Sequence, residues 1–445
     1  MKSRSKALKV VFGITTAGIL ITLAVFLWMA FGMDRSGWTE ENGLYSYLDS
    51  RGDPITGWME EDGNQYFFDE NGIMVTGWQT IEGSRFWFSP AGVRRTGWIE
   101  EDGNRYYLPE TGASLSGWNS VDGQRRYFLE GNQLATGWQT IDGSRYYLSE
   151  DGTLVTGWLH TPEGVYHLSE SGHLSTGLTQ LDGNTYYFFE NSGLMLQGWL
   201  DLNEDRYYFD DSGAMVTGWQ EIDGKRRYFE EDGTMHTGWL RQGEYAYYLL
   251  EDGSPATEPT VIDGQTCFFT PEGIYVLLVN YKYPLPDGYQ VELVRYGQWA
   301  RVAAIAEESL RQMILDCRAT GIECWLNCGY RTVDEQTTIL NERMAGYMED
   351  GMDRDSAYAK TLETVAVPGY SEHHTGLAVD VVCSVDPVWL HEHCWEYGFI
   401  LRYPEGKSDI TGITYEHWHY RYVGTEVSMA MKDSGLCLEE YLGAA

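Results

Sequence analysis

The sequence predicts a multidomain protein with three parts in series: an N-terminal transmembrane helix, an all-β solenoid of hairpin repeats, and a C-terminal α+β domain. Three observations predict this order. A stretch of 24 uncharged residues follows a basic N-terminus, a Gly-Trp pair then recurs about every 20 residues, and this period stops near Tyr275. A chain of 445 residues exceeds what one hydrophobic core usually holds, so several folded units are expected.

The N-terminal segment has the composition of a membrane anchor. Its basic residues are Lys2, Arg4, Lys6 and Lys9. Residues 10–33 then carry no charge, and a spanning helix needs about 20 apolar residues. The alternative is a cleaved signal peptide, whose apolar region is typically about 7–15 residues long. We predict an uncleaved anchor at residues 10–33, a cytoplasmic tail at residues 1–9, and an extracellular location from about Asp34 onward.

The overall charge excludes one class of partner. Lys and Arg number 31 and Asp and Glu number 66, which gives a formal charge of −35. Nucleic-acid binding requires clustered Lys and Arg to neutralise phosphates. We therefore predict no nucleic-acid partner.

The chain contains seven cysteines, six of them in the C-terminal third. Disulfides are permitted outside the cytosol, but their pairing cannot be deduced from spacing. Cys324 and Cys328 are separated by three residues and are candidates for a metal site. No second pair or suitably spaced histidine accompanies them, so we favour buried or bridged cysteines.

Repeats of about 20 residues fill the chain between residues 34 and 275. The tryptophans of the Gly-Trp pairs are Trp38, Trp58, Trp78, Trp98, Trp118, Trp138, Trp158, Trp199, Trp219 and Trp239, with Leu178 in the one missing position. An Asp-Gly pair and then two aromatic residues follow most of them, as at Asp142-Gly143 and Tyr146-Tyr147. This pattern predicts β-hairpins. One hairpin cannot bury its aromatic face alone, so stacking of neighbours into a β-solenoid is expected.

The repeats resemble the cell-wall-binding repeats of choline-binding proteins, clostridial toxins and glucan-binding enzymes. In choline-binding members, a second tryptophan before the Tyr-Tyr pair helps to form a cation–π cage. The corresponding residues here include Gln65, Arg105, Arg145, Thr185 and Arg206. The resemblance therefore implies a cell-wall ligand, with a glycan and a choline-like group both open. A stalk whose aromatics serve only as core is the alternative.

The C-terminal domain, predicted at residues 276–445, mixes helix and strand patterns. Apolar residues from Val302 to Ile314 recur with helical spacing, and the stretch 322–326 has the length of a strand. Thr332 and Glu335 form a capping-box pattern, and Asp386-Pro387 is typical of an N-cap followed by the first helical residue. Because no regular βαβ alternation appears, an α+β domain is expected.

Two segments of this domain concentrate ionisable residues among apolar ones, residues 371–382 and 415–422. On a strand, Asp380 shares a face with Ala378 and Val382, and a carboxylate there is costly unless it is paired or binds a metal. Two histidines and one aspartate are typical of a catalytic zinc site with one open position. A nearby glutamate and arginine can then act as base and oxyanion stabiliser. Structural histidines and an Asp–Arg pair are the alternatives.

Several motifs occur in one order across residues 278–424. They are Gly329-Tyr330-Arg331, Pro368-Gly369-Tyr370-Ser371-Glu372-His373, Thr375-Gly376-Leu377-Ala378-Val379-Asp380, residues 397–404, and Glu416-His417-Trp418-His419. With them this region resembles the VanY-type D-alanyl-D-alanine carboxypeptidases, zinc metallopeptidases related to VanX-type dipeptidases. The resemblance implies one catalytic Zn²⁺ bound by His373, Asp380 and His419. It also implies Glu416 as general base and Arg331 as the group that stabilises the tetrahedral oxyanion.

Further residues around these motifs carry weaker expectations. Ser371 is expected to form a hydrogen bond with substrate. His417 stands where the family usually has proline, and His374 neighbours an expected ligand, so both stay open as extra or exchanged metal ligands. His391 and His393 are expected in a helix, facing solvent.

The implied function is removal of the terminal D-Ala from peptidoglycan stem pentapeptides by an enzyme that the repeats hold at the cell wall and the N-terminal helix holds at the membrane. Two alternatives remain: a related D,D-dipeptidase or endopeptidase, and a non-catalytic wall-binding adhesin. A serine carboxypeptidase is disfavoured, because the one Ser-x-x-Lys pattern, Ser3 to Lys6, lies on the expected cytoplasmic side.

Overall fold

A computed structural model describes residues 35–445. The predicted cytoplasmic tail and membrane anchor, residues 1–9 and 10–33, lie outside the described residues. Within residues 35–445 no helix has the length and apolarity needed to cross a membrane. The chain divides into two compact units between Leu196 and Gln197.

The described part of the first unit consists of antiparallel two-stranded hairpins. Its strands are β1 (Gly37–Glu41), β2 (Leu44–Leu48), β3 (Gly57–Glu61), β4 (Asn64–Phe68), β5 (Gly77–Ile81), β6 (Ser84–Phe88), β7 (Gly97–Glu101), β8 (Asn104–Leu108), β9 (Gly117–Val121), β10 (Gln124–Phe128), β11 (Gly137–Ile141), β12 (Ser144–Leu148), β13 (Gly157–Thr161), β14 (Gly164–Leu168), β15 (Gly177–Leu181) and β16 (Asn184–Phe188). Each odd-numbered strand pairs with the even-numbered strand that follows it, which confirms the predicted hairpin repeats.

Two features of one repeat show why these residues form stacked hairpins. At the turn between β11 and β12, Asp142 has φ 51° and Gly143 has φ 80°, the two left-handed positions that a type I′ turn requires. Trp138 then contacts Tyr166 of the next hairpin, with ring centroids 4.9 Å apart. Leu148 at the end of β12 is fully buried. The core of the repeats is therefore formed between neighbouring hairpins.

The second unit begins with further repeats. Their strands are β17 (Gly198–Leu202), β18 (Asp205–Phe209), β19 (Gly218–Ile222), β20 (Lys225–Phe229), β21 (Gly238–Gln242), β22 (Tyr245–Leu249), β23 (Thr260–Ile262), β24 (Gln265–Phe269) and β25 (Tyr275–Val276). The last three strands form one sheet in the order β23-β24-β25. The final repeat, which lacks the Gly-Trp pair, thus departs from the two-stranded form.

The remainder of the second unit combines helices with short strands. The strands are β26 (Leu293–Tyr296), β27 (Ala300–Ala303), β28 (Cys324–Cys328), β29 (Ala378–Cys383), β30 (Phe399–Leu401) and β31 (His419–Tyr422). The α-helices are α1 (Ala304–Ala319), α2 (Val333–Glu349), α3 (Arg354–Leu362), α4 (Val388–His393), α5 (Ser408–Thr411), α6 (Thr425–Met431) and α7 (Leu438–Tyr441), and residues Glu372–Thr375 and Cys394–Tyr397 form 3₁₀ turns. This arrangement confirms the predicted α+β class.

A four-stranded antiparallel sheet in the order β28-β29-β31-β30 forms the centre of this domain. Helix α1 packs on it through Leu310, Met313 and Cys317, which are fully buried with Val379 and Tyr420 of the sheet. An apolar layer between α1 and the sheet therefore holds the central strands in position.

The last repeats share a second core with the C-terminal domain. Tyr247, Phe268 and Leu278 are buried in one cluster with Val427 and Leu438. The boundary that we predict between residues 275 and 276 stays a prediction, and this cluster extends across it.

The helix boundaries in this domain agree with the sequence in one place and differ in another. The capping box at the start of α2 is present: Thr332 Oγ1 accepts from the Glu335 amide at 3.2 Å, and Glu335 Oε2 accepts from the Thr332 amide at 2.7 Å. The expected N-cap at Asp386 is wrong. Pro387 has ψ 32°, outside the helical range, so α4 begins one residue later without a side-chain cap.

Candidate metal centre and active site

The antiparallel register brings the predicted metal ligands together. Asp380 on β29 lies opposite His419 on β31, while His373 lies on the 3₁₀ turn that leads into β29. Gly376 ends this turn with φ 74°. A side chain there would approach Ala303 backbone nitrogen to 3.1 Å, so the motif needs glycine at this position.

The three side chains are buried and point at one another. Asp380 Oδ1 lies 3.5 Å from His373 Nε2 and 3.2 Å from His419 Nδ1. Within residues 35–445, Asp380 Oδ1 has no hydrogen-bond partner. Since a buried carboxylate oxygen without a partner is costly, this position requires either a proton on an imidazole or a cation.

The spacing of these atoms fits a zinc ion. Zinc–nitrogen and zinc–oxygen bonds of about 2.0–2.1 Å in tetrahedral geometry place neighbouring donor atoms about 3.3–3.4 Å apart. The two measured separations are close to this value. His373 Nδ1 donates to the Gly329 carbonyl at 2.7 Å, which leaves Nε2 unprotonated and directed at Asp380, the arrangement typical of a metal-binding histidine.

The electrostatics of the cluster follow from burial and proximity. Burial acts to raise the pKa of Asp380, but His373 and His419 hold it well below its usual value. Burial lowers the pKa of His373. For His419 burial acts in the same direction, yet the neighbouring carboxylates of Asp380, Glu372 and Glu416 raise its pKa well above the usual value. The three carboxylates around His419 therefore favour a positive charge at this position.

The two predicted catalytic side chains face the same cavity, whose volume is about 380 Å³. Glu416 Oε2 lies 3.4 Å from His419 Nδ1. Arg331 Nη2 donates to Asp380 Oδ2 at 2.9 Å. Ser371, which is buried, also lines this cavity. The structure thus brings all six predicted site residues together.

The neighbouring histidines have other partners. His374 Nδ1 donates to the Arg331 carbonyl at 2.8 Å, and its Nε2 accepts from the Gly369 amide at 3.1 Å, so neither nitrogen is available to a metal. His417 is exposed and packs on Trp418. In the structure, neither His374 nor His417 takes the position of any of the six predicted site residues.

The histidines of α4 differ from expectation. His391 and His393 are half-buried rather than fully solvent-facing. The ring of His393 stacks on Trp389 at 4.6 Å, and His391 Nε2 lies 3.1 Å from the His417 carbonyl. Helix α4 packs on the domain, which covers part of both rings.

One cysteine reaches the site. Cys328 is the Cα partner of Asp380 across β28 and β29. Its sulfur offers a donor atom within 4.8 Å of those of His373 and Asp380 and accepts from Arg331 Nε at 3.0 Å. Burial raises the pKa of Cys328. The sequence pattern paired it with Cys324, and only the strand register reveals this different neighbourhood.

A separate cluster contains three further cysteines. The sulfurs of Cys317, Cys324 and Cys383 lie within 4.8 Å of one another. No disulfide is formed in the described part of the chain. This cluster belongs to the apolar layer between α1 and the sheet.

Sequence reasoning missed four buried charged residues beside the site. They are Glu372, Arg402, Arg421 and Glu439, each at most 1% exposed. Glu372 and Arg402 lie within the motifs given above, but the sequence alone does not indicate that these charged side chains contact one another. Their partners are 30 to 49 residues apart in the chain.

Comparison with known proteins identifies the family. The profile of the VanY D-alanyl-D-alanine carboxypeptidases matches residues 300–425. The putative carboxypeptidase YodJ of Bacillus subtilis is 33% identical over 203 residues, which cover 40% of this chain and 71% of that protein. The chain belongs to the VanY D-alanyl-D-alanine carboxypeptidase family. A bifunctional D-Ala-D-Ala dipeptidase and carboxypeptidase of Enterococcus gallinarum is 38% identical to this VanY-family chain, with 28% of the chain and 70% of the relative covered.

Another relative is covered less completely. The D-alanyl-D-alanine carboxypeptidase of Enterococcus faecalis is 40% identical over 176 residues, 38% of this VanY-family chain. The chain spans 65% of the length of that relative. A solved structure of a vancomycin-resistance D,D-pentapeptidase VanY in complex with Zn(II) is 40% identical, covers 37% of this chain and 97% of its own, and has a TM-score of 0.36.

The repeats match a second family. A choline-binding repeat profile matches residues 75–117, 135–177, 175–217, 196–232 and 216–258, and a cell-wall-binding repeat profile matches residues 56–74. The structure of CbpJ from Streptococcus pneumoniae is 27% identical, covers 54% of this chain and all of its own, and has a TM-score of 0.45. The VanY-family domain is therefore joined to cell-wall-binding repeats.

Proposed function

We propose that this protein is a zinc-dependent D,D-carboxypeptidase that removes the terminal D-Ala from peptidoglycan stem pentapeptides. The observation that carries the proposal is the convergence of His373 Nε2, Asp380 Oδ1 and His419 Nδ1 at zinc-ligand spacing. Glu416 and Arg331 line the same cavity. Membership of the VanY family and the named activity of its relatives support the same chemistry.

Each group has a role that its position allows. His373, Asp380 and His419 would hold one zinc ion, which supplies a Lewis acid and lowers the pKa of a bound water. Glu416 lies beside His419 Nδ1, within reach of a water at that centre, and would take its proton as general base. Ser371 would hydrogen-bond the substrate from the cavity wall.

Arg331 would stabilise the negative charge that develops on the carbonyl oxygen of the scissile bond. Its guanidinium is fixed by Asp380 Oδ2 at 2.9 Å and by Cys328 sulfur at 3.0 Å. It also immediately precedes the N-cap of the 17-residue helix α2, whose N-terminus adds positive potential. A preorganised cation of this kind selectively stabilises the transition state.

We further propose that the repeats hold the enzyme at the cell wall. In six repeats the chain's own guanidinium lies over the indole ring: Arg85 on Trp78, Arg105 on Trp98, Arg125 on Trp118, Arg145 on Trp138, Arg206 on Trp199 and Arg226 on Trp219, at 3.9–4.5 Å. These arginines occupy the place where a cationic ligand would make its cation–π contact. We therefore expect these six faces not to bind a choline-like group.

The other four tryptophans of the Gly-Trp pairs have open faces. Trp38, Trp58, Trp158 and Trp239 are 37–44% exposed. Within residues 35–445 a guanidinium lies over only one of these four rings, that of Arg94 at 6.0 Å from the Trp58 centroid. Aromatic rings of their own and the next hairpin surround them, such as His167 and Tyr186 around Trp158. These four positions are where a wall ligand would stack. The predicted anchor at residues 10–33, which would place the protein at the cell membrane, stays a prediction.

Product analysis tests the enzymatic proposal. The purified protein is incubated with zinc and a stem pentapeptide ending in D-Ala–D-Ala, and the released species are separated by mass. We expect single D-alanine and a tetrapeptide. Release of the dipeptide would instead establish the D,D-dipeptidase alternative. A protein that binds cell walls but cleaves no stem peptide would support the non-catalytic adhesin.

A further inference from the structure

Four charged side chains form a buried network next to His419. Glu372 and Glu439 supply two negative charges, and Arg402 and Arg421 supply two positive charges. All four are at most 1% exposed. Because isolated charges are very costly in such a place, the balanced set constrains how each member is oriented.

Three of the four carboxylate oxygens in this network are used by arginines. Glu372 Oε1 accepts from Arg402 Nε at 2.8 Å and from Arg421 Nη1 at 2.9 Å. Both oxygens of Glu439 accept from the terminal nitrogens of Arg402, at 2.5 and 2.9 Å. The fourth oxygen, Glu372 Oε2, has no hydrogen-bond partner within residues 35–445.

A second unpartnered buried atom faces this oxygen. His419 Nε2 also has no hydrogen-bond partner in the described chain, and it lies 3.9 Å from Glu372 Oε2. A shift of about 1 Å by either side chain would bring the pair to hydrogen-bond distance. One atom is a potential donor and the other an acceptor, so closing the gap satisfies both.

The geometry of His419 determines which nitrogen needs this partner. Its Nδ1 faces Asp380 Oδ1 at 3.2 Å, so Nδ1 is the nitrogen available to a metal. A neutral imidazole has one N–H, which must then be on Nε2. A carboxylate or carbonyl on the second nitrogen is what orients metal-binding histidines in general, and the Gly329 carbonyl already does this for His373.

We propose that Glu372 is a positioning residue for the metal centre, whose Oε2 accepts a hydrogen bond from His419 Nε2 and holds Nδ1 toward the ion. The inference rests on the proposed zinc-dependent function and adds a residue to it. Glu372 suits this role because two arginines fix its other oxygen. Arg421 in turn donates to the Leu277 carbonyl at 2.6 Å, so the segment that follows the last repeat belongs to the same support.

Two matched variants of the full chain test the proposal. Glu372→Gln and Glu439→Gln each leave two arginines with one carboxylate, so both create the same buried charge imbalance. Only Glu372 faces His419. Zinc affinity is measured by competition with a chromophoric chelator, and thermal unfolding is measured without metal. We expect both variants to lower the unfolding temperature, and Glu372→Gln alone to weaken zinc binding by about 10–100-fold.

The possible outcomes separate the proposals. Wild-type zinc affinity in Glu372→Gln, or an equal loss in Glu439→Gln, would overturn the role of Glu372. A wild-type chain that binds no zinc would overturn the proposed function itself. If Glu372→Gln does not fold, ¹⁵N-histidine spectra of the zinc-bound wild type decide: we expect a slowly exchanging His419 Nε2 proton, and a rapidly exchanging one would contradict the proposal.

Discussion

At the scale of single residues, the site depends on the direction in which each nitrogen and oxygen points. His373 and His419 present different ring nitrogens, Nε2 and Nδ1, to the same oxygen of Asp380. His374, although next in the chain and buried, uses both nitrogens on backbone groups. The two adjacent histidines therefore point in different directions, His373 toward Asp380 and His374 toward backbone groups of the neighbouring loops.

Separate substitutions of the two histidines in the motif Glu416-His417-Trp418-His419 test which of them is a metal ligand. His419→Ala removes a nitrogen at the centre, so zinc affinity should fall by more than about 100-fold, beyond what loss of a supporting partner costs. His417→Ala removes an exposed ring and should leave zinc affinity unchanged. Isothermal titration of both variants with zinc measures this, and a reversed order would transfer the ligand role to His417.

The role of Arg331 is tested by a substitution that keeps its charge. Arg331→Lys loses the planar fork that contacts both Asp380 and Cys328, so the cation is no longer held against the developing oxyanion. We expect kcat to fall by about 10²–10³-fold with the zinc content of the wild type. Steady-state D-alanine release provides kcat, and an unchanged kcat would remove Arg331 from the mechanism.

Sequence alone predicted the six site residues from the order of the family motifs, and the structure places all six around one cavity. The sequence did not identify Cys328 or Glu372 as neighbours of the centre. The position of Cys328 depends on strand register, and that of Glu372 depends on Arg402 and Arg421, which are 30 and 49 residues away. A periodic pattern along the chain contains no information on such contacts.

At the scale of elements, the 3₁₀ turn, the residue that follows β30, strand β31 and helix α7 each contribute one charge to the buried network beside the sheet. Burial acts to raise the pKa of Glu439, but Arg402 outweighs it and the pKa lies below its usual value. A carboxyl with a lowered pKa in the folded protein stabilises the fold above the pKa of the unfolded chain, and this stabilisation is lost as pH falls through the folded value.

This linkage predicts the acid response of the fold. Between pH 7 and about 4.5 the contribution of Glu439 should be fully present, and below that range the unfolding temperature should fall as protons bind. Glu439→Gln should be less stable at pH 7 by about 3–5 kcal/mol, because it leaves a buried charge uncompensated, and should depend less on pH below 4.5. Thermal unfolding from pH 3 to 7 measures both, and parallel curves would contradict the assignment.

The elements themselves were largely predictable where the local signal is strong. Asp-Gly turns and the Thr332–Glu335 capping box form as their patterns indicate, because their hydrogen bonds close within a few residues. The start of α4 was wrong by one residue, since Asp386 gave a cap signal that the backbone of Pro387 does not continue. Local chemistry fixes turns better than it fixes short helices in loops.

At the scale of the whole molecule, a repeat stalk of acidic character is joined to a peptidase. With a net charge of −35, the chain will not be drawn to anionic wall polymers by net attraction. Aromatic stacking at the open tryptophans would supply the wall contact instead. The sequence predicted the repeats. That arginines cover six of the tryptophan rings became apparent only from the strand register, which places each arginine on the strand opposite its tryptophan.

Counting bound cations tests the division into open and capped repeats. Equilibrium dialysis of the full chain with choline at millimolar concentration should give four sites. Arg125→Ala uncovers Trp118, which lies between Tyr127 and Tyr146, and should give five. The double variant Arg125→Ala, Trp118→Ala should return to four. More than four sites in the wild type, or no gain on uncovering, would refute the capping role.

The central claim is that a zinc ion at His373, Asp380 and His419 makes this chain a D,D-carboxypeptidase. The most direct measurement is the rate of D-alanine release from a D-Ala–D-Ala pentapeptide before chelation, after chelation and after zinc is restored, with Glu416→Gln in parallel. We expect release to stop on chelation, to return with zinc, and to be absent in a Glu416→Gln variant that still binds zinc. Release that survives chelation, or that persists in Glu416→Gln, would contradict this account.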